Sequence, residues 1–388
     1  MAHYSTHFPA LNEPSKPLGD YRLLSPSCGL RVSPICLGGM SLGEVWTGIL
    51  GGGIPKEKAF ELLDTYYDFG GNFIDTANDY QEEQSERWIG EWMASRGNRD
   101  EIVLATKYCI GYRKPRNDAK IYSNYTGNQK KSLMLSLRDS LEKLQTTYLD
   151  ILYLHWWDYS VSIPEMMRQL DDVVKSGKVL HLGISDTPSY IVARCNEYAR
   201  NHALTQFVVY QGEWSCLKRG IEREVLPMCR MEEMGVAPWG VSGGGRFYTA
   251  AQLDKRLKEG GDLRFGRNEL TEDEKKMSAA LEKVAKEIGN GASLANVAIA
   301  YTMHKQPYVF PIIGGKKVSH LKENIKALNI HLTQEQIEFL ENAVKFDIGW
   351  PLNLLGGNPA YTKDGRIENF IHNHTSQVQW VKATQPIE

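Results

Sequence analysis

The chain has no long apolar run. Nothing in it approaches the ~18 consecutive apolar residues a membrane helix needs, and its polar, proline-punctuated first 20 residues have no apolar stretch of the signal-peptide kind. An excess of either charge is also missing. Lys and Arg total 45 against 47 Asp and Glu, a net −2, so there is no broad basic field for nucleic acid or an anionic membrane. The six cysteines (Cys28, Cys36, Cys109, Cys195, Cys216 and Cys229) include no Cys-x-x-Cys pair and have no histidines nearby at zinc spacing. They read as reduced thiols with no metal site. These absences lead us to expect a soluble cytoplasmic protein whose partners are small and not strongly charged, either a monomer or a weak homo-oligomer.

What is present is a composition with 42% apolar and 24% charged residues, enough for a substantial core. At 388 residues the chain suits one α/β barrel or two smaller domains. Two short strands are expected within residues 21–40 around the Ser25-Pro26-Ser27-Cys28-Gly29 turn, the second at 33–37, and this first pair would cap the floor of a barrel. A glycine-rich loop follows at 48–55 and a helix at 56–69. Strands and helices then alternate: strand 72–76, helix 83–95, strand 102–107, helix 129–144, strand 149–155, and a helix from Pro164 to about Gly177. Strand 179–185, helix 188–201, strand 207–214, helix 222–234 and strand 236–239 continue the pattern.

A long connection with Gly243, Gly244 and Gly245 carries a charged helix at 271–288 before helix 293–304, strand 308–313 and helix 318–328. An extra helix at 333–344 opens with the Thr333/Gln336 capping pattern. Eight strand-helix units close most economically into a (β/α)8 TIM barrel with an N-terminal β-hairpin and extra helices. We expect one domain over 1–388, with its core at about 20–345 and a C-terminal lid or tail at 346–388. An open doubly wound sheet is the alternative, but the Gly38-Gly39-Met40-Ser41-Leu42-Gly43 run has the wrong spacing for the pyrophosphate turn of that fold.

In a parallel barrel, chemistry gathers where strands end, and the stretch 72–80 is an apolar strand that stops at Asp75 and then offers Tyr80. The other strand ends present Lys107, His155, Ser185 with Asp186, Gln211 with Glu213, Trp239, and the Gly314-Gly315-Lys316-Lys317 run. A buried ammonium at Lys107 would favour the ionised form of Tyr80 and lower its pKa. Asp75 would neutralise Lys107 and hold it, and His155 would orient a substrate carbonyl. Such a site gives a carbonyl a proton but no hydride, so it calls for a nicotinamide cofactor.

These residues, from Leu30-Arg31-Val32-Ser33-Pro34-Ile35 to Glu323-Asn324, resemble the aldo-keto reductases, with Asp75, Tyr80, Lys107 and His155 falling on that family's catalytic tetrad. The runs Asp75-Thr76-Ala77-Asn78-Asp79-Tyr80, His155-Trp156-Trp157-Asp158, Val209-Tyr210-Gln211-Gly212-Glu213-Trp214 and Ala237-Pro238-Trp239 are similar to its fungal aryl-alcohol dehydrogenase and norsolorinic acid reductase branch. The resemblance implies that Tyr80 is the general acid in reduction and the base in oxidation. It places Ser185, Asp186 and Gln211 at the nicotinamide carboxamide and Trp239 against the nicotinamide ring, and puts Gly39, Met40 and Gly314 among the cofactor contacts. Many relatives have asparagine where this chain has Asp186, and a carboxylate cannot donate to the carboxamide.

Gly243, Gly244 and Arg246 suit a pyrophosphate, since glycines let the backbone come close. Lys316, Lys317 and His320 match the region that reads an adenosine 2'-phosphate, and Glu323 and Asn324 match adenine contacts. Two lysines at a helix start oppose the helix dipole, which an anion would relieve, so the expected cofactor is NADPH/NADP+. Substrate walls are expected from Trp46, Trp156 and Trp157, from Tyr112, Tyr122 and Tyr125 in the 111–128 loop, and from the tail near Trp350. The implied activity is NADPH-dependent, reversible reduction of aromatic aldehydes or ketones, including aromatic polyketides. The competing readings are a barrel glycosidase using Asp75 and Glu213, and a cofactor-binding, redox-sensing regulatory subunit with little turnover.

Overall fold

The computed structural model describes residues 16–50, 52–258, 269–361, 366, 374, 376 and 378–387. Strands β1 (Arg22–Ser25) and β2 (Cys28–Val32) form an antiparallel hairpin. The barrel strands follow: β3 (Cys36–Gly38), β4 (Phe73–Asp75), β5 (Val103–Tyr108), β6 (Leu149–Leu154), β7 (Val179–Ser185), β8 (Phe207–Gln211), β9 (Gly235–Val236) and β10 (Ile312–Ile313). Among the described residues these eight pair in parallel in the order β10-β3-β4-β5-β6-β7-β8-β9. The two ends then meet: Val236 bridges Val309 in parallel, and the Phe310 amide donates to the Val236 carbonyl at 2.8 Å. This is the (β/α)8 barrel expected from the alternation. Helices cover the outside, so β5 and β6 are buried at every residue and read as nearly continuous apolar runs.

Phe73, Ala105, Ile151, Tyr153, Val209 and Phe310 fill the barrel interior together with Leu24, Cys28 and Val32, so the hairpin does close the floor. Gly235 permits that closure, because a Cβ there would lie 2.1 Å from the Leu24 carbonyl oxygen. All six cysteines are free and buried. No helix among the described residues is long and apolar enough to cross a membrane.

Several boundaries differ from expectation for local reasons. The stretch expected as one strand at 33–37 is interrupted by Pro34, and the barrel strand proper starts at Cys36. The expected helix 222–234 is a 3-10 turn at Gly220–Glu222 followed by a helix at Val225–Met231, because Pro227 is tolerated only within a first helical turn. A helical turn at Thr47–Leu50 occupies part of the expected glycine loop, and a helix at Ala250–Lys258, hidden behind the glycine run, was not expected. The Thr333/Gln336 capping box is present and opens helix Gln334–Ala343.

Candidate active site

Period-two alternation puts the polar groups in the barrel mouth. Phe73 faces the interior, so Asp75, two residues on, does too; Ala105 carries Lys107 and Tyr153 carries His155 in the same way. Lys107 is completely buried, and its Nζ donates to Asp75 Oδ2 at 2.6 Å, Asp75 Oδ1 at 2.8 Å, the Thr76 carbonyl at 2.8 Å and Tyr80 Oη at 3.4 Å. Burial pulls the ammonium's pKa down, but the Asp75 carboxylate more than offsets this, and Lys107 stays charged. Gln211 Nε2 also donates to Asp75 Oδ1, at 2.9 Å, so strand β8 braces the pair. With both oxygens engaged, Asp75 is not placed to act as a glycosidase carboxylate.

Tyr80 corrects the sequence-based expectation. Burial raises its hydroxyl to about 12, and the opposing pull of Lys107 is too small to reverse this, with Asp75 and Asp79 adding to the rise. The phenol is therefore fully protonated at neutral pH. Because Lys107 donates to its oxygen, its own hydrogen is available to another acceptor. His155 is held neutral, its pKa well below the ordinary value through burial and then Lys107. The imidazole lies edge-on to the Tyr80 ring, centroids 6.0 Å apart, and its Nδ1 is buried without a hydrogen-bond partner.

The expected cofactor residues fall into two groups. Ser185 Oγ and Trp239 Nε1 both donate to Asp186 Oδ2 at 3.3 Å, and the Asp186 amide donates to the Gln211 carbonyl at 3.0 Å. These four residues thus form a continuous rim beside the tetrad. Desolvation raises the Asp186 carboxyl to about 6, although the residue lies at the exposed edge of the mouth. The Met40 carbonyl accepts from Gln81 at 2.9 Å, and Gly39 sits tightly over the Asp75 backbone, 3.0 Å from its carbonyl oxygen to an added Cβ.

The second group is spread further round the mouth. Gly243, Gly244 and Gly245 all have positive φ (67°, 64° and 76°), and Arg246 folds back on this loop, donating to the Gly243 carbonyl at 2.9 Å with Glu274 3.4 Å away. Gly314 is open, with only Ser41 Oγ (3.7 Å) and the Gly38 carbonyl (4.0 Å) near an added Cβ. Lys316 and Lys317 precede helix Val318–Ile325, which carries His320, Glu323 and Asn324, with Glu323 paired to Lys326 at 2.7 Å. Open glycine backbone beside a lysine-led helix start has the donor chemistry a phosphate requires, so the residues present fit a phosphorylated dinucleotide.

Trp46 meets Tyr80 edge-on at 6.0 Å, and Trp156, 41% exposed, lies 5.2 Å from the His155 ring. Trp157, in contrast, is buried in the core, and Tyr112 is buried with its hydroxyl donating to Asp139 at 2.7 Å. Neither lines the mouth. Tyr122 and Tyr125 pack on each other. Trp350 is 76% exposed, and the neighbouring Phe346 lies under the Arg219 and Arg223 guanidiniums, each 4.8 Å away. Of the expected lid or tail, residues 362–365, 367–373, 375, 377 and 388 fall outside the described residues.

Sequence reasoning missed the turn after Tyr80. Gln81, Glu82 and Glu83 all have positive φ (55°, 50° and 79°), a left-handed run that costs roughly 1–2 kcal/mol per residue. Buried contacts hold it: Glu83 pairs with Arg116 and with Lys143 at 3.0 Å. Gln-Glu-Glu reads as ordinary helix-forming sequence, and only the density of charged partners at Arg116 and Lys143 hints otherwise.

The closed parallel barrel agrees with comparisons to known proteins. The aldo/keto reductase family model matches residues 34–345, and the chain belongs to that family of oxidoreductases. It is 48% identical to norsolorinic acid reductase of Aspergillus flavus, covering 98% of this chain and 96% of that protein. It is 48% identical to aryl-alcohol dehydrogenase [NADP(+)] of Phanerodontia chrysosporium, covering 97% of each. It is 51% identical to aldo-keto reductase ausK of Emericella nidulans, covering 90% of this chain and 88% of that protein.

Proposed function

We propose that the chain reduces aromatic aldehydes or ketones to alcohols with NADPH, reversibly, with Tyr80 as the proton donor. The observation that carries this reading is the Lys107 ammonium, which donates to the Tyr80 oxygen while Asp75 holds it in place. Tyr80 Oη accepts from Lys107 and so presents its own proton outward. As that proton leaves for a carbonyl oxygen, the phenolate that forms lies 3.4 Å from a fixed positive charge. Neutral His155 supplies a hydrogen bond that orients the carbonyl, and a buried neutral ring does this without competing for the proton. A bound nicotinamide supplies the hydride.

Ser185, Asp186, Gln211 and Trp239 would hold the nicotinamide end, and Gly314, Lys316, Lys317 and His320 the phosphorylated adenosine end. The lysines at the start of helix Val318–Ile325 favour NADPH over NADH. Trp46 and Trp156 beside Tyr80 and His155 favour a flat aromatic carbonyl. The names of the relatives point the same way, toward aryl alcohols and norsolorinic acid.

The test is a panel of aryl aldehydes, aryl alcohols, aliphatic aldehydes and aromatic polyketide ketones assayed with NADPH/NADP+ and with NADH/NAD+. The expected result is turnover of the aromatic members with the phosphorylated cofactor. Tight NADPH binding with negligible turnover of every member would contradict it and favour the redox-sensing regulatory role.

A further inference from the structure

We propose that Gln81 is a positioning residue that fixes the aromatic wall Trp46 against Tyr80 and so sets the preference for aromatic over aliphatic carbonyls. The inference rests on the aromatic-carbonyl reading above. Gln81 is 1% exposed, although it follows the tetrad tyrosine in a turn at the mouth. Its side-chain oxygen accepts from the Trp46 amide at 2.8 Å and the Val45 amide at 3.1 Å, and its Nε2 donates to the Met40 carbonyl at 2.9 Å. One amide group thus satisfies three backbone groups of the loop that carries Trp46.

The attachment is close at other points too. A Cβ at Gly43 would lie 2.4 Å from both Gln81 Cβ and Cγ, so the loop passes directly over this side chain. Gln84 adds a fourth tie, accepting from the Glu44 amide at 2.8 Å. Gln81 reaches inward because its backbone is left-handed, as are those of the next two residues. Such backbone persists only where its surroundings over-determine it. On its far side Glu83 is locked by Arg116 and Lys143, leaving the loop-facing side to Gln81. The result of this arrangement is the edge-on contact of Trp46 with Tyr80. No side-chain hydrogen bond of Gln81 goes to Asp75, Tyr80, Lys107 or His155; all three go to the loop that carries Trp46.

The test compares kcat/KM for benzaldehyde and for butanal with NADPH in the full chain. Gln81→Met, similar in volume, is expected to lower the aromatic-to-aliphatic ratio about tenfold, and Trp46→Leu to lower it by a similar factor. The double variant falls no further than about twofold below either single, since both remove one wall. Independent, multiplying losses would overturn the proposal, as would an unchanged ratio in Gln81→Met.

Gln81→Glu keeps both accepted bonds but puts a second acceptor where the donor to the Met40 carbonyl stood, so its ratio is expected to fall about threefold, between the unmodified chain and Gln81→Met. Should Gln81→Met not fold, an unchanged ratio in Gln81→Glu would overturn the proposal. Backbone amide exchange of the 40–47 segment supplies a readout independent of turnover. It should rise about tenfold in Gln81→Met, and unchanged exchange there would contradict the clamp even in a chain that reduces no aldehyde. Absence of turnover of both aldehydes by the unmodified chain would contradict the aromatic-carbonyl reading itself.

Discussion

Tyr80 and Lys107 show how a buried pair divides its work: the lysine keeps its charge because Asp75 chelates it, and the tyrosine keeps its proton because burial outweighs the lysine. The pH dependence follows. Reduction needs the protonated phenol, which is the form present at every pH below about 12, so its rate constant should be flat between about pH 6 and 9. Alcohol oxidation needs the phenolate, whose fraction in this range grows about tenfold per pH unit, so kcat/KM for an aryl alcohol should climb with that slope. Stopped-flow rates in both directions check this, and a reduction rate that falls steeply from pH 6 to 8 would contradict it. Asp75, Lys107 and His155 were legible as candidates in the sequence because each sits at a strand end two residues beyond an interior position, and Tyr80 because it follows Asp75 in the turn after β4. The direction of the Tyr80 shift was not, because desolvation depends on everything packed around the hydroxyl and not on the nearest charge alone.

Helices Gln84–Arg96 and Lys130–Lys143 are joined behind the Tyr80 turn by one amine. Lys143, whose side chain is 1% exposed, sits 2.6 Å from Glu86 and 3.0 Å from Glu83, and donates to the Asn78 carbonyl at 2.9 Å. Removing the amine leaves the buried Glu86 carboxylate uncompensated while Glu83 keeps Arg116, so Lys143→Met should destabilise the chain by about 3–5 kcal/mol in urea unfolding at pH 7. A loss under about 1 kcal/mol would show that solvent reaches the cluster. Helix existence was readable from apolar periodicity and from capping chemistry such as Thr333 with Gln336. The Tyr80 turn was not readable, since its left-handed backbone is imposed by Met40, Val45, Trp46, Arg116 and Lys143, residues far from it in sequence. The helix break before Val225–Met231 was readable in principle from Pro227.

Across the whole molecule, different parts of the barrel carry different functions. Strands β1 and β2 plug the floor, β4 to β6 lead into Asp75, Lys107 and His155, and β7 to β10 with their following loops present the rim expected to hold a dinucleotide. The Gln211 bond to Asp75 joins the two halves of the mouth. The order of these strand ends round the mouth was legible in the sequence, whereas the sorting of tryptophans into those beside Tyr80 and His155 (Trp46, Trp156) and one in the core (Trp157) needed the packed structure. Tyr80→Phe probes proton donation most directly, because it removes one oxygen and leaves the ring contacts with Trp46 and His155 in place. Single-turnover reduction of an aryl aldehyde by the NADPH-loaded variant should slow by about a thousandfold or more, with NADPH affinity within about threefold of the unmodified chain. Reduction at the unmodified rate would contradict the assignment of Tyr80 as the proton donor.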